Sequence, residues 1–121
     1  MNEAYGDPSA DDCKVDFAAG VARMMNNRGL YVRLLTKFTA SNNIEAVRDS
    51  VAQSDLGRIH IEAHTLKGVA GNLGLDMLAA KAADLDSAAQ KGEQGNLQEL
   101  LASLEFCFEQ TMAAIASFIA E

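Results

Sequence analysis

The sequence contains few of the residues that form β-sheets or interrupt helices. Its 121 residues include one proline, no tryptophan and 6% aromatic residues. Because β-branched and aromatic side chains favour strands and proline breaks helices, their scarcity favours helices over sheet. With 49% hydrophobic residues, the chain is long enough to bury one core. We therefore expect a single all-α domain.

Basic residues and long apolar runs are also scarce. The chain has 10 Lys and Arg against 17 Asp and Glu, a net charge of −7. Nucleic-acid affinity depends on cations that neutralise phosphates, so nucleic acid is not an expected partner. No apolar run approaches the roughly 20 residues that span a membrane, and the N-terminus lacks a secretion signal. Cys13 and Cys107 lie far apart, which favours two reduced thiols. These features predict a cytoplasmic protein without membrane insertion.

The chain begins with a polar segment and a short predicted helix. Residues 1–12 are small and polar and contain Pro8, which is typical of a disordered lead-in or tether. The domain is therefore assigned to residues 13–121. A short helix is predicted from about Cys13 to Met25, where an Asn-Asn-Arg-Gly segment ends the pattern. Its expected packing face consists of Val15, Ala18, Ala22 and Met25.

Two longer helical patterns follow. The first runs from about Leu30 to Ala52, and its polar residues 41–43 mark either a bend or a true interruption. The second begins after an N-cap at Ser54 or Asp55 and ends at residues 71–74. Its apolar residues recur every three or four positions and form one predicted core stripe: Leu56, Ile59, Ala63, Leu66, Ala70 and Leu73.

The last two helices complete the predicted fold. One covers about residues 75–92, with Gly92 as a suitable C-cap. The other begins after Asn96, whose spacing to Glu99 resembles a capping box, and carries apolar residues from Leu97 to Ile119. Four main amphipathic helices with short connections predict an antiparallel up-down four-helix bundle, with a short extra N-terminal helix.

The most informative residues lie in the second long helix. His64 is followed one turn later by Lys67 and Gly68 on the same helical face. The three residues offer a nucleophilic imidazole, a neighbouring cation and a position without a side chain. Glycine within a helix costs about 1 kcal/mol relative to alanine, so we expect Gly68 to serve access to His64.

The residues around His64 suggest a docking surface. Its helical neighbours include Gly57, His60, Ile61 and Gly71, a flattened surface with one apolar side chain. Residues 57–75 hold two basic residues against one acidic residue, so this segment carries +1 in an acidic chain. Such a surface fits an anionic phosphoryl group or an acidic partner. We expect His60 to be a solvated residue at its rim.

The segment Ala63-His64-Thr65-Leu66-Lys67-Gly68, followed by Leu73-Gly74, resembles the signature of histidine-containing phosphotransfer (HPt) domains of two-component phosphorelays. The similarity extends from about Val15 to the C-terminus. It includes Gly20-Val21-Ala22-Arg23, Leu30-Tyr31, Leu34-Leu35 with Phe38, and Leu85 followed by Gly92. Gly29 departs from the family, in which an acidic residue often precedes the Leu-Tyr pair.

The resemblance implies that the chain is a phosphorelay intermediate without its own kinase activity. His64 would accept a phosphoryl group from an aspartate of a receiver domain and pass it to another receiver. Lys67 would offset the phosphoryl charge, and Gly68 would leave the ring accessible. The expected partners are receiver domains of response regulators or of a hybrid sensor kinase, and the chain itself is expected to be a monomer. The chain is expected to bind no cofactor, and Mg²⁺ would come from the receiver.

Two functions other than phosphotransfer are compatible with parts of the sequence. His60 and His64 have the i and i+4 spacing of a histidine pair that binds metal. A metal site in a bundle also needs ligands from facing helices, and the other helices carry apolar stripes, so no metal site is expected. The second alternative is a helical adaptor in which His64 has no chemical role.

Overall fold

Six α-helices account for the regular structure of residues 13–121, the part of the chain that the computed structural model describes. They are α1 (Phe17–Arg23), α2 (Arg28–Ala40), α3 (Ile44–Ala52), α4 (Leu56–Asn72), α5 (Asp76–Gln90) and α6 (Leu97–Ile119). The expected all-α class is confirmed. The predicted lead-in, residues 1–12, lies outside the described residues.

The helices form a four-helix bundle in which α2 and α3 together make the first of the four antiparallel segments, here called the first arm. This arm runs antiparallel to α4, because Tyr31 Oη donates to Leu73 O at 2.7 Å and Asn43 Nδ2 donates to Glu62 O at 2.8 Å. The short segments 73–75 and 91–96 reverse the chain between α4, α5 and α6. Helix α5 packs against α4 and α6, and α6 packs back against α2 and α3. The antiparallel up-down bundle is therefore confirmed.

The polar residues between α2 and α3 form a true interruption. Helix α2 ends at Ala40, and Ser41 has extended backbone with φ −147° and ψ 98°. The side chain of Asn42 accepts a hydrogen bond from Ile44 N at 3.2 Å, in the first turn of α3. The side chains of this segment therefore bind backbone groups that a continuous helix would pair internally.

Helix α4 has the boundaries and the buried face that its sequence pattern predicts. Asp55 is its N-cap, and its Oδ1 accepts from Arg58 N at 3.1 Å. The apolar stripe is buried except for the half-buried Leu56 at its start. After the helix, Gly74 has φ +75°, a left-handed conformation that favours glycine. These features hold the opposite face of α4 toward solvent.

Predictions at two other helix ends need correction or refinement. Asn96 is the N-cap of α6, but its side chain makes no capping hydrogen bond, so the expected capping box does not form. At the end of α5, Lys91 is the C-cap and Gly92 follows it with φ +73°. Gly92, predicted as the C-cap, is therefore the residue that follows the C-cap.

The predicted packing face of the N-terminal helix is wrong for three of its four residues. Val15 packs against the core, although it precedes the helix. Helix α1 begins at Phe17, with Asp16 as N-cap, and Ala18 and Ala22 are exposed. Its inward face instead holds Phe17, which stacks on Phe118 with ring centroids 4.4 Å apart, and the buried Gly20. A Cβ on Gly20 would lie 2.2 Å from the Tyr31 hydroxyl, so only glycine allows this approach. Met25, expected on the packing face, is 90% exposed.

Candidate functional site

His64 lies on the solvent face of α4, opposite the buried stripe. Its side chain is 62% exposed, whereas Ala63 and Leu66 beside it are fully buried. The helix therefore places the imidazole at the surface and fixes its backbone through the core. A partner molecule can reach this ring without any rearrangement of the bundle.

The buried carboxylate of Asp86, on α5, contacts the His64 ring from the interface between α4 and α5. The Asp86 side chain is 4% exposed, and its Oδ2 lies 3.2 Å from His64 Nδ1. Its Oδ1 lies 2.5 Å from His60 Nδ1 and accepts from Gln90 Nε2 at 3.1 Å. Burial raises the pKa of Asp86, but hydrogen bonds from His60, Gln90 and His64 outweigh it, and the resulting pKa lies below the ordinary value. Asp86 is therefore ionised at neutral pH.

The ionised Asp86 determines which ring nitrogens of the two histidines carry protons. An ionised carboxylate can only accept hydrogen bonds, so both His60 Nδ1 and His64 Nδ1 act as donors. In a neutral imidazole the other nitrogen then carries a lone pair. The arrangement therefore leaves the Nε2 lone pair of His64 available for chemistry.

Asp86 and Gln90 were not predicted as site residues, because both belong to a different helix from the motif. The apolar stripe expected on α5 is buried, and Asp86 lies beside it and reaches both histidines. The sequence feature that could have identified Asp86 is a charged residue within the alanine-rich, inward side of α5. The single negative charge of Asp86 also balances the excess positive charge of residues 57–75. The site is thus closer to neutral than the motif segment alone predicts.

Lys67 and Gly68 lie one turn after His64. Lys67 is half-buried, and none of the ion pairs found among residues 13–121 includes it. Gly68 is exposed, and a Cβ built on it would meet nothing within 4 Å. No packing contact within the described chain therefore requires glycine at this position.

The predicted docking residues share the exposed side of α4 with His64. Ile61 is 60% exposed, Gly57 is exposed and Gly71 is half-exposed. The Gly71 carbonyl accepts from Arg23 Nη1 at 3.1 Å, which ties α1 to the end of α4. His60 is half-exposed rather than fully solvated, because its ring is bound to Asp86. These four residues flank the imidazole along the helix.

A groove between α2 and α4 begins beside the exposed face of α4 and was not predicted. One part has a volume of about 320 Å³ and lies next to Thr65, the residue after His64. A second part of about 370 Å³ continues toward α1. Both parts contain Phe38, Ser41 and the exposed Val69. The first is otherwise lined by the polar residues Asn42, Asn43 and Thr65, whereas the second is more apolar and is also lined by Met24, Leu34, Lys37, Asn72 and Leu73. The exposed face therefore has Asp86 on one side of His64 and this groove on the other.

The chemistry that the site can support follows from these contacts. In the stretch from Cys13 to Glu121, no group of three or more His, Cys, Asp or Glu residues has the arrangement of a metal site. His60, His64 and Asp86 instead form a hydrogen-bonded set in which the carboxylate accepts from both rings. Such a set orients an imidazole and stabilises a positive charge that develops on it.

Comparison with known proteins agrees with this architecture. Residues 34–118 match the Hpt domain family, whereas searches of curated proteins and of solved structures found no match. The match includes the whole motif and Asp86, and it begins after the Gly20–Arg23 and Leu30-Tyr31 segments in which similarity was also expected. None of the helices within the described residues has the length and apolarity needed to cross a membrane. The chain belongs to the Hpt domain family, whose members have a general role in histidine phosphotransfer in phosphorelays.

Proposed function

We propose that His64 accepts a phosphoryl group from a phosphorylated aspartate of a receiver domain and later passes it to another receiver. The observation that carries this proposal is the hydrogen bond from His64 Nδ1 to the buried Asp86. It leaves the Nε2 lone pair of an exposed ring free to attack. Of the two histidines, His64 is the more exposed and has Lys67 and Gly68 one turn away.

The transfer step uses each of these residues. The His64 Nε2 lone pair forms the N–P bond while the P–O bond to the receiver aspartate breaks, and the bonding electrons leave with its carboxylate. The ring keeps its Nδ1 proton and becomes an imidazolium, which the negative charge of Asp86 stabilises. Lys67 offsets charge on the phosphoryl oxygens, and Gly68 leaves room for the phosphoryl group. Mg²⁺ would be bound by the receiver.

The exposed face of α4 is the proposed docking surface for the receiver. Ile61 would bury apolar area against the partner, and Gly57, His60 and Gly71 would form the surrounding contact. The exposed Val69, at the groove between α2 and α4, adds apolar area near Thr65. We further propose that the chain is an intermediate without kinase activity of its own.

Transfer of a radioactive phosphoryl group tests the proposal. A receiver domain labelled with radioactive acetyl phosphate and Mg²⁺ is mixed with this chain, and the label on the chain is followed over time. We expect a label that is stable in base and lost in acid, as a phosphohistidine is. His64→Gln should abolish labelling and keep its helical circular dichroism, whereas His60→Gln should still be labelled. Normal labelling of His64→Gln would refute the assignment of His64.

A further inference from the structure

Asp86 is shared between two histidines, and the sharing is unequal. His60 Nδ1 lies 2.5 Å from Asp86 Oδ1, whereas His64 Nδ1 lies 3.2 Å from Asp86 Oδ2. The centroids of the two rings are 5.7 Å apart. The carboxylate therefore connects the rings, and His60 makes the shorter of the two hydrogen bonds to it.

No other charged group competes for this carboxylate within the described residues. The Arg58 guanidinium donates to Gln53 Oε1 at 3.2 Å, and the Glu62 carboxylate accepts from Asn43 Nδ2 at 3.0 Å. The remaining charged residues on the two helices or at the end of α5 make no hydrogen bond or ion pair with either ring: Lys67, Asp76, Lys81, Asp84 and Lys91. The charge of Asp86 is thus divided among His60, His64 and the neutral amide of Gln90.

We propose that His60 is a positioning residue that limits how strongly Asp86 stabilises positive charge on His64. The inference rests on the proposed phosphotransfer at His64. When the N–P bond forms, the His64 ring becomes an imidazolium next to Asp86. A hydrogen bond from His60 to Oδ1 holds part of the carboxylate charge away from that ring.

This sharing suits a residue that must both accept and release a phosphoryl group. A carboxylate devoted to His64 alone would stabilise the phosphorylated ring and favour the phosphohistidine over the phosphorylated receiver. His60 reduces that stabilisation, so the two phosphorylated species stay closer in free energy. The effect acts through Asp86 and requires no contact between His60 and the phosphoryl group.

The test measures the equilibrium constant for phosphoryl transfer between a labelled receiver domain and His64. It is measured at about pH 8, above the range in which histidine side chains usually titrate. His60→Leu removes the donor to Asp86, and His60→Asn keeps an N–H near the position of Nδ1. A full hydrogen bond to a charged group changes an equilibrium constant roughly tenfold or more. His60→Leu changes only how the carboxylate charge is shared, so we expect it to shift the transfer constant by less, about threefold toward phosphohistidine. His60→Asn should restore the wild-type value.

Two further variants separate the possible outcomes. In an Asp86→Asn background, His60→Leu should have no effect, because there is no carboxylate charge to share. An unchanged or lower constant for His60→Leu, or an effect that persists without Asp86, would overturn the role of His60. Label on His60 in the His64→Gln variant would overturn it as well, by making His60 an acceptor. A wild-type chain that takes no label from the receiver would instead refute the proposed function.

Discussion

Gly68→Ala separates the stability of the domain from its proposed activity. Gly68 lies within α4, where glycine is less favourable than alanine by about 0.8–1.0 kcal/mol. A Cβ at this position meets nothing within 4 Å, so no clash offsets the gain. The variant should therefore unfold with a free energy about 1 kcal/mol higher than that of the wild type. For a domain of this size that raises Tm by roughly 3–5 °C.

The same methyl group should impair phosphoryl transfer. It would stand one turn from His64, on the face where the phosphoryl group and the receiver approach. Adding a methyl group to a closely packed contact costs about 1–3 kcal/mol. If that contact forms in the transition state, the transfer rate falls by roughly 5- to 150-fold. A more stable protein that transfers more slowly is the expected result.

Urea denaturation and single-turnover transfer from a labelled receiver measure the two effects on the same samples. Gly29→Ala is a matched control, because Gly29 lies in the first turn of α2 and its Cβ would be 3.6 Å from Asn27 Oδ1, an ordinary contact. Gly29→Ala should leave the transfer rate unchanged. Wild-type transfer rates for Gly68→Ala would refute the argument that Gly68 provides access to His64. A lower free energy of unfolding for Gly68→Ala than for the wild type would refute the conclusion that the space around Gly68 is open.

Two other predictions concern buried polar groups. The pKa of Asp86 in the folded protein lies below its unfolded value, so its stabilising contribution is complete above the unfolded pKa of about 3.9 and is lost as the pH falls through the folded pKa. In urea denaturation between pH 6 and pH 3, Asp86→Asn should therefore lose less stability on acidification than the wild type. Equal losses would contradict an ionised Asp86. Tyr31→Phe removes the hydrogen bond to the Leu73 carbonyl and should lower the free energy of unfolding by about 1–3 kcal/mol. Its phosphotransfer rate at His64 should stay at the wild-type value, and a large drop would show that this contact also shapes the site.

The regular parts of the fold were predictable because they depend on local periodicity. The stripe on α4 repeats every three or four residues, which identifies both the helix and its buried face. Because His64 and Gly68 lie outside that stripe, their exposure followed from the same pattern. The N-cap could be narrowed to Ser54 or Asp55, since the capping hydrogen bond is local, and the structure assigns it to Asp55.

Features that depend on contacts between helices were not predictable in this way. Helix α1 has seven residues, and so short a segment is compatible with more than one packing face. Its true face is fixed by the stacking of Phe17 on Phe118 and by the approach of Gly20 to Tyr31, both tertiary contacts. The contact between His64 and Asp86 spans 22 residues and depends on how α4 and α5 are aligned. Spacing within one helix carries no information about that alignment.

Two features that a helical bundle does not need for folding meet at His64. Gly68 weakens α4 and makes no contact that would compensate for it. Asp86 places a carboxylate in the largely apolar interface between α4 and α5, where it stays ionised only because three side chains donate hydrogen bonds to it. A sequence selected for folding alone would have alanine at the first position and an apolar side chain at the second. Because both departures lie beside the same exposed ring, they are better explained by the chemistry of His64 than by the needs of the bundle.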